Sequence, residues 1–147
     1  MIKIITDSTS DISQKQAKEL GITVLPLKVI FKDGEYEDGI DLQINEFYDK
    51  LVNSESLPTT SQLSPEQFMP YFEEAKEKQD TIIVITLSSE LSGTCQSATI
   101  AKDMCGYDHI YIVDSRSVTL GLQILVRHAV DMMNHGLSAE EIVNTLE

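Results

Sequence analysis

Hydroxyl side chains are concentrated near the middle of the chain, where Ser88, Ser89, Ser92 and Thr94 lie close together with Gly93. Hydroxyl groups donate hydrogen bonds without carrying charge, so they suit an anionic guest such as a carboxylate or a phosphate. A segment that favours a helix follows, and the unpaired N–H groups and dipole of a helix start also attract anions. The stretch therefore predicts an anion-binding loop, with an ordinary serine cap and polar loop as the alternative.

Two more clusters of acidic and hydroxyl residues share the composition of this loop. One is Asp7-Ser8-Thr9-Ser10-Asp11, and the other is Asp114-Ser115-Arg116-Ser117. Like the central loop, each follows a short apolar run and precedes a helix pattern. In an open α/β sheet the carboxyl ends of the parallel strands meet at one edge, where ligands bind. The three clusters therefore predict a single edge lined with hydrogen-bond donors.

The apolar runs before these clusters predict strands over Ile2–Thr6, Thr81–Leu87 and His109–Val113. They are rich in β-branched residues and nearly unbroken, which is typical of parallel strands that are covered on both faces. The β-rich segment Thr23–Phe31 and the Asp33-Gly34 turn after it predict a small hairpin. The fold class is therefore α/β, with three α/β/α layers, a mainly parallel sheet and a small β-hairpin insertion.

Helix signals separate the predicted strands. Apolar residues over Ile44–Val52 follow helical spacing, and a capping box at Ser64 opens a helix over Pro65–Lys78. The residues Thr59–Gln62 just before it offer four hydrogen-bonding side chains, which predicts either a loop that holds a ligand's polar head or one that only caps the helix. The chain stops at Glu147 before its last helix has a closing signal, so a truncated end is expected.

Composition limits the partners of this protein. The 147 residues are 41% hydrophobic and 24% charged, which fits one globular core. The 11 basic and 24 acidic residues give a net charge of −13, which repels a phosphate backbone and argues against nucleic acid. No uncharged run approaches the roughly 18 residues of a membrane span. The apolar start is too short for a signal peptide, so we expect a cytoplasmic protein.

Residues for covalent or metal chemistry are not grouped in the sequence. Cys95 and Cys105 fit neither a disulfide framework nor a metal site, and His128 and His135 lack a ligand partner. His109 begins its strand, at the end opposite to the hydroxyl edge, so no base serves a serine nucleophile. The common motifs of hydrolases, nucleotide-binding enzymes and zinc proteases are absent. We predict no catalytic residue, no metal and no cofactor.

Four motifs occur in order along the chain: Asp7-Ser8-Thr9-Ser10-Asp11, Thr60-Ser61-Gln62-x-Ser64-Pro65, Leu87-Ser88-Ser89-x-Leu91-Ser92-Gly93-Thr94-x-Gln96-Ser97-Ala98 and Val113-Asp114-Ser115-Arg116-Ser117-Val118-x-x-Gly121. Together they resemble the DegV family of fatty-acid-binding proteins, and the resemblance runs from Met1 to Glu147. Two positions depart from the usual pattern. Leu63 stands where a proline is common, and Cys95 where an aromatic residue is common.

The resemblance implies a two-domain protein that buries the acyl chain of a long-chain fatty acid and holds its carboxylate near the domain junction. It also implies that the bound acid is presented to a fatty acid kinase. Carried over by motif, the residues that would hold the carboxylate are Thr60, Ser61, Ser92, Gly93 and Thr94. Those expected behind them are Asp7, Ser8 and Ser115.

The expected function is therefore that of a carrier and not of an enzyme. Residues 1–147 are expected to form a single amino-terminal α/β domain, with the second lipid-binding domain absent from the chain. One alternative is an enzyme that acts on a phosphorylated or carboxylated small molecule through the same loop. Another is a protein-interaction domain in which the hydroxyl loops only cap helices.

Overall fold

The structure, a computed structural model, describes residues 1–147 and centres on a four-stranded parallel sheet. In chain order the strands are β1 (Ile2–Asp7), β2 (Thr23–Leu25), β6 (Thr81–Thr86) and β7 (Ile110–Asp114). Across the sheet the order is β2-β1-β6-β7, and all neighbouring pairs are parallel. The parallel sheet predicted from the apolar runs is confirmed.

Helices cover both faces of this sheet. The helices of the chain are α1 (Gln14–Leu20), α2 (Ile44–Asn53), α3 (Pro65–Lys78), α4 (Thr94–Cys105), α5 (Leu120–Asn134) and α6 (Ala139–Leu146). The helices α1, α5 and α6 pack on one face, while α3 and α4 pack on the other. The predicted three-layer α/β/α architecture is confirmed. None of these helices has both the length and the apolar character needed to cross a bilayer.

The core lies on both sides of β6, whose side chains alternate between the two faces. Ile82 and Val84 belong to the core beneath α3 and α4, whereas Ile83 and Ile85 belong to the core beneath α5 and α6. All four side chains are inaccessible to solvent. This two-sided burial explains why the sequence of β6 is an unbroken apolar run and does not alternate with polar residues.

A second, smaller sheet is antiparallel and has three strands. These are β3 (Lys28–Phe31), β4 (Gly34–Glu37) and β5 (Thr59–Ser61), in the order β4-β3-β5. The hairpin predicted around Asp33-Gly34 forms from β3 and β4. The sequence analysis expected a loop at Thr59–Gln62, but three of these residues pair with the free edge of β3 and form β5.

The helix α2 covers one face of the small sheet. The Phe47 ring packs edge-on against Phe31, with 6.1 Å between ring centroids. The ammonium group of Lys50 lies 4.7 Å from the centre of the Tyr36 ring. These contacts attach α2 to the small sheet, although no residue of α2 is itself buried.

Candidate functional site

The polar clusters that follow β1, β6 and β7 meet at one edge of the main sheet. A carboxylate oxygen of Asp7, at the end of β1, accepts a hydrogen bond of 2.9 Å from the backbone N–H of Leu87, just after β6. Asp114, at the end of β7, accepts hydrogen bonds from the backbone N–H and the hydroxyl of Ser89. The three strand ends are therefore joined by two carboxylates.

The Asp7 carboxylate makes all of its hydrogen bonds with other groups of the protein. Its side chain also accepts hydrogen bonds from the backbone N–H and the hydroxyl of Thr9, and the residue is only 1% exposed. Burial raises the pKa of the Asp7 carboxyl above its ordinary value, although the hydrogen bonds from Thr9 and Leu87 oppose this shift. Asp7 thus fixes the start of the loop after β6 and has no free oxygen edge facing solvent.

Ser8 and Ser115 hold neighbouring turns in a similar way. The hydroxyl oxygen of Ser8 accepts a hydrogen bond of 3.0 Å from the backbone N–H of Leu27, which links β1 to the segment that leads into the small sheet. The Ser115 hydroxyl bonds with both the backbone N–H and the carbonyl oxygen of Ser117, each at 3.1 Å. Both serines are buried, so they lie behind the surface of this edge.

Two of the four hydroxyls in the central loop are also used within the protein. The Ser88 oxygen accepts a hydrogen bond from the backbone N–H of Glu90, and the Ser89 hydroxyl donates to Asp114. Burial raises the pKa of Asp114, but its hydrogen bonds from Ser89 and the backbone N–H of Arg116 outweigh this and keep the pKa below its ordinary value. These residues stabilise the loop.

An open cleft of about 570 Å³ lies beside these residues, and only Leu91 and Val118 among its lining side chains are hydrophobic. A second cleft of about 320 Å³ is lined by Asp114, Arg116 and residues at the end of α6. Hydrocarbon chains bind in predominantly apolar pockets, and neither cleft has such a lining. No group of three or more His, Cys, Asp or Glu side chains is placed to hold a metal ion.

The start of α4 is built from Ser92, Gly93 and Thr94. The Ser92 oxygen accepts a hydrogen bond from the backbone N–H of Thr94 and lies 3.0 Å from the Thr94 hydroxyl. The Thr94 oxygen also accepts from the backbone N–H of Leu63, and Thr94 is 0% exposed. Thr94 is therefore a buried support, whereas Ser92 and Gly93 reach the surface. The backbone N–H groups of Cys95 and Gln96 make no hydrogen bond within the protein.

The strand β5 brings the second predicted group of site residues to the same place. Thr60 pairs with Val29 and Ser61 with Lys28, so their side chains point to opposite faces of the small sheet. Thr60 is exposed, and the Ser61 hydroxyl donates to the carbonyl oxygen of Gln62. Since side chains alternate along a strand, Thr60 lies on the same side as position 62, and Ser61 lies on the opposite side.

Gln62, expected from the sequence only as one of the four hydrogen-bonding side chains of Thr59–Gln62, makes the contact between β5 and the start of α4. Its side-chain amide occupies the space beside Gly93: a Cβ atom at position 93 would overlap the Gln62 Oε1, which is the nearest atom, and would lie 2.7 Å from its Cδ and 2.8 Å from its Nε2. Such distances are far inside van der Waals contact, so the approach requires a glycine. A glycine at a helix start is the sequence signal for a close approach of this kind.

A family sequence model described as "Uncharacterised protein, DegV family" matches residues 1–147. The chain belongs to the DegV family. A DegV domain-containing protein from Caldanaerobacter subterraneus subsp. tengcongensis is 46% identical over 145 residues, which cover 99% of this chain and 51% of that protein. A second, from Clostridium perfringens, is 35% identical, with 96% of this chain and 50% of that protein covered. This DegV chain spans about half the length of the curated relatives it matches.

Solved DegV structures share its fold. A structure that describes fatty acid binding by a DegV-family protein from Thermus thermophilus is 34% identical, with a TM-score of 0.88 over 99% of this chain and 51% of that chain. DegV from Bacillus subtilis, described as a fatty-acid-binding protein, is 33% identical, with a TM-score of 0.89 over 99% of this chain and 52% of that chain. A stearic-acid-binding protein from Eubacterium ventriosum is 29% identical, with a TM-score of 0.88 over 99% of this chain and 52% of that chain. The predicted family membership is confirmed.

Proposed function

We propose that this DegV chain binds the carboxylate of a long-chain fatty acid between β5 and the start of α4, and that it serves as a carrier. The observation that carries the proposal is the meeting of these two elements, where Gln62 lies against Gly93. Thr60, two residues before Gln62, is exposed, Ser92, just before Gly93, is partly exposed, and the first turn of α4 has free N–H groups. Thermus, Bacillus and Eubacterium relatives that are described as binding fatty acids support the choice of ligand.

The chemistry of these donors suits a carboxylate beside hydrocarbon. A buried charge without hydrogen bonds is very costly, so the acid group needs several donors. Hydroxyls and backbone amides supply them while remaining neutral, and none of the hydrogen bonds of Ser92 or Thr94 involves a lysine or an arginine. Without a cation beside it, a carboxylate oxygen keeps its nucleophilic character. We propose that the chain presents this oxygen to a fatty acid kinase, which phosphorylates it.

The acyl chain needs an apolar wall that the two polar clefts do not provide. Each buried CH₂ group contributes about 0.8 kcal/mol, so the tail supplies most of the affinity wherever it is enclosed. Because the DegV relatives are about twice as long as this chain, we propose that it acts as an amino-terminal domain. In that arrangement a second lipid-binding domain encloses the tail, while β5 and α4 hold the carboxylate.

Lipid retention by the purified protein tests the carrier proposal. The two-domain form of the protein, in which the proposed second domain is attached, is incubated with stearate, separated from free lipid and extracted for mass spectrometry, in parallel with the double variant Thr60→Ala, Ser92→Ala. We expect the wild type to retain stearate and the double variant to retain much less. Ser61→Ala is the matched control, since its side chain lies on the other face of β5, and it should behave like the wild type. Equal retention by the double variant would refute the assigned site.

A further inference from the structure

We propose that Gln62 is a headgroup residue of this site, and that its side-chain amide donates a hydrogen bond to the carboxylate. This inference rests on the proposed fatty-acid function and adds one residue to it. It starts from the position of the side chain, which reaches from the end of β5 to Gly93, the residue just before α4. The side chain of the next residue, Leu63, turns into the core and is 1% exposed, so it cannot reach a ligand.

The Gln62 amide is also available. Gln62 is an exposed residue, and neither its Nε2 nor its Oε1 takes part in a hydrogen bond within the protein, although it lies within contact distance of the Gly93 backbone. Two other glutamines near this edge are engaged: Gln67 accepts from the backbone N–H of Ser64, and Gln123 donates to the carbonyl oxygen of Ser10. Gln96, in the first turn of α4, is exposed and unpaired like Gln62, but it belongs to α4 and does not connect the helix to β5. A free amide held beside free helix N–H groups is placed to act together with them.

The chemistry of an amide matches the shortage of donors at this site. A carboxylate has two oxygens with about four lone pairs, and Thr94 cannot contribute because it is buried and already paired. Gln62 adds an N–H donor without adding charge, so it contributes to binding in the same neutral way as Ser92. Gln62 follows the last residue of β5, and the alternation of side chains, continued by one residue, places it on the same side as Thr60.

Gly93 has a specific place in this proposal. Its φ of −75° and ψ of 5° are available to alanine, so a substitution there causes no backbone strain. The added methyl group would instead overlap the Gln62 amide and push it away from the start of α4. The effect of Gly93→Ala on binding should therefore depend on whether Gln62 is present.

The test uses the two-domain form of the protein, in which the proposed second domain is attached, and stearate labelled with ¹³C at the carboxyl carbon, whose NMR signal gives both the affinity and the ionisation of the bound acid. Gln62→Ala should weaken binding about tenfold, as expected for the loss of one hydrogen bond to a charged group. Gln62→Glu should weaken it further and raise the pKa of the bound carboxyl, because it places a like charge beside it. Asn134→Asp adds the same charge at the last residue of α5, about 21 Å along the helix from its start near this edge, and should change neither quantity.

The double variant Gln62→Ala, Gly93→Ala completes the test. We expect Gly93→Ala to weaken binding in the wild-type background and to add little once Gln62 is already alanine. Tight stearate binding by the wild type together with unchanged affinity and unchanged carboxyl pKa in both Gln62 variants would overturn the role of Gln62 and leave the carrier function standing. Absence of stearate binding by the folded wild type would overturn the carrier function, and this proposal with it.

Discussion

Replacing Thr94 by valine removes one buried hydroxyl and keeps the shape of the side chain. In the wild type this hydroxyl accepts a 3.3 Å hydrogen bond from the backbone N–H of Leu63 and lies 3.0 Å from the Ser92 hydroxyl. The variant therefore breaks the hydrogen bond that ties the segment before α3 to the first turn of α4. We expect Thr94→Val to destabilise the fold and to weaken fatty-acid binding through Ser92.

The size of the effect follows from burial. Leu63 is 1% exposed, so water cannot replace the lost acceptor, and a buried N–H group without a partner costs about 1–3 kcal/mol. Ser92 is partly exposed, so in the variant its hydroxyl can bond to water. The lost contact between the Ser92 and Thr94 hydroxyls therefore adds little to this cost. The free energy of unfolding should therefore fall by about 1–3 kcal/mol, a decrease of a few degrees in Tm.

Urea denaturation followed by circular dichroism measures this change, and the dependence of the unfolding free energy on urea should be the same in both proteins. Thr94→Ser is the control, because it keeps the hydroxyl and removes the methyl group. It should cost less than Thr94→Val if the hydrogen bond dominates. A valine variant as stable as the wild type would refute the view that Thr94 is a support for Leu63 and Ser92.

Three further outcomes are expected. Asp7→Asn should lower stability by about 1–3 kcal/mol, since an amide cannot accept from all the donors that Leu87 and Thr9 direct at the carboxylate. Burial raises the pKa of Asp7, so the protonated carboxyl favours the folded state, and the wild type loses stability as the pH rises from the ordinary pKa of 3.8 through the raised pKa of the folded protein. Chemical denaturation across that pH range should therefore show that the difference in unfolding free energy between the wild type and Asp7→Asn becomes smaller as the pH rises. Ser89→Ala should raise the pKa of Asp114 towards its ordinary value in an NMR titration of the carboxyl carbon, and unchanged titration would contradict the assigned hydrogen bond. Added KCl should leave stearate binding unchanged or tighten it in calorimetry, since salt screens the net charge of −13 that repels the acid, whereas a marked weakening would indicate a cation in the site.

The main sheet and its covering helices could be predicted because the signals are local. Thr81–Thr86 is an unbroken β-branched run, and α3 begins where the Ser64 capping box places it. The strand β5 was missed for the opposite reason. Thr59–Ser61 has no apolar pattern of its own, and it becomes a strand because the edge of β3 offers partners for its backbone. Pairing between distant segments cannot be read from a three-residue polar stretch.

The candidate site shows the same limit. The sequence identified the polar loops, but it could not tell which hydroxyls are free. Thr94 looks like an exposed donor in the sequence and is buried in the structure, because Leu63, 31 residues away, donates to it. Ser61 looks equivalent to Thr60, and only the pairing of β5 with β3 separates their faces. Which partner a polar group finds is decided by tertiary packing.

The main sheet and the small sheet have no strand in common. Thr60 belongs to one and Ser92 follows a strand of the other, so no backbone ladder sets the width of the gap between them. Side-chain contacts such as those of Ser8 with Leu27 and of Thr94 with Leu63 set it instead. A small tilt of the three-stranded unit would therefore change the distance between Thr60 and Ser92 while the hydrogen bonds inside each sheet stay intact.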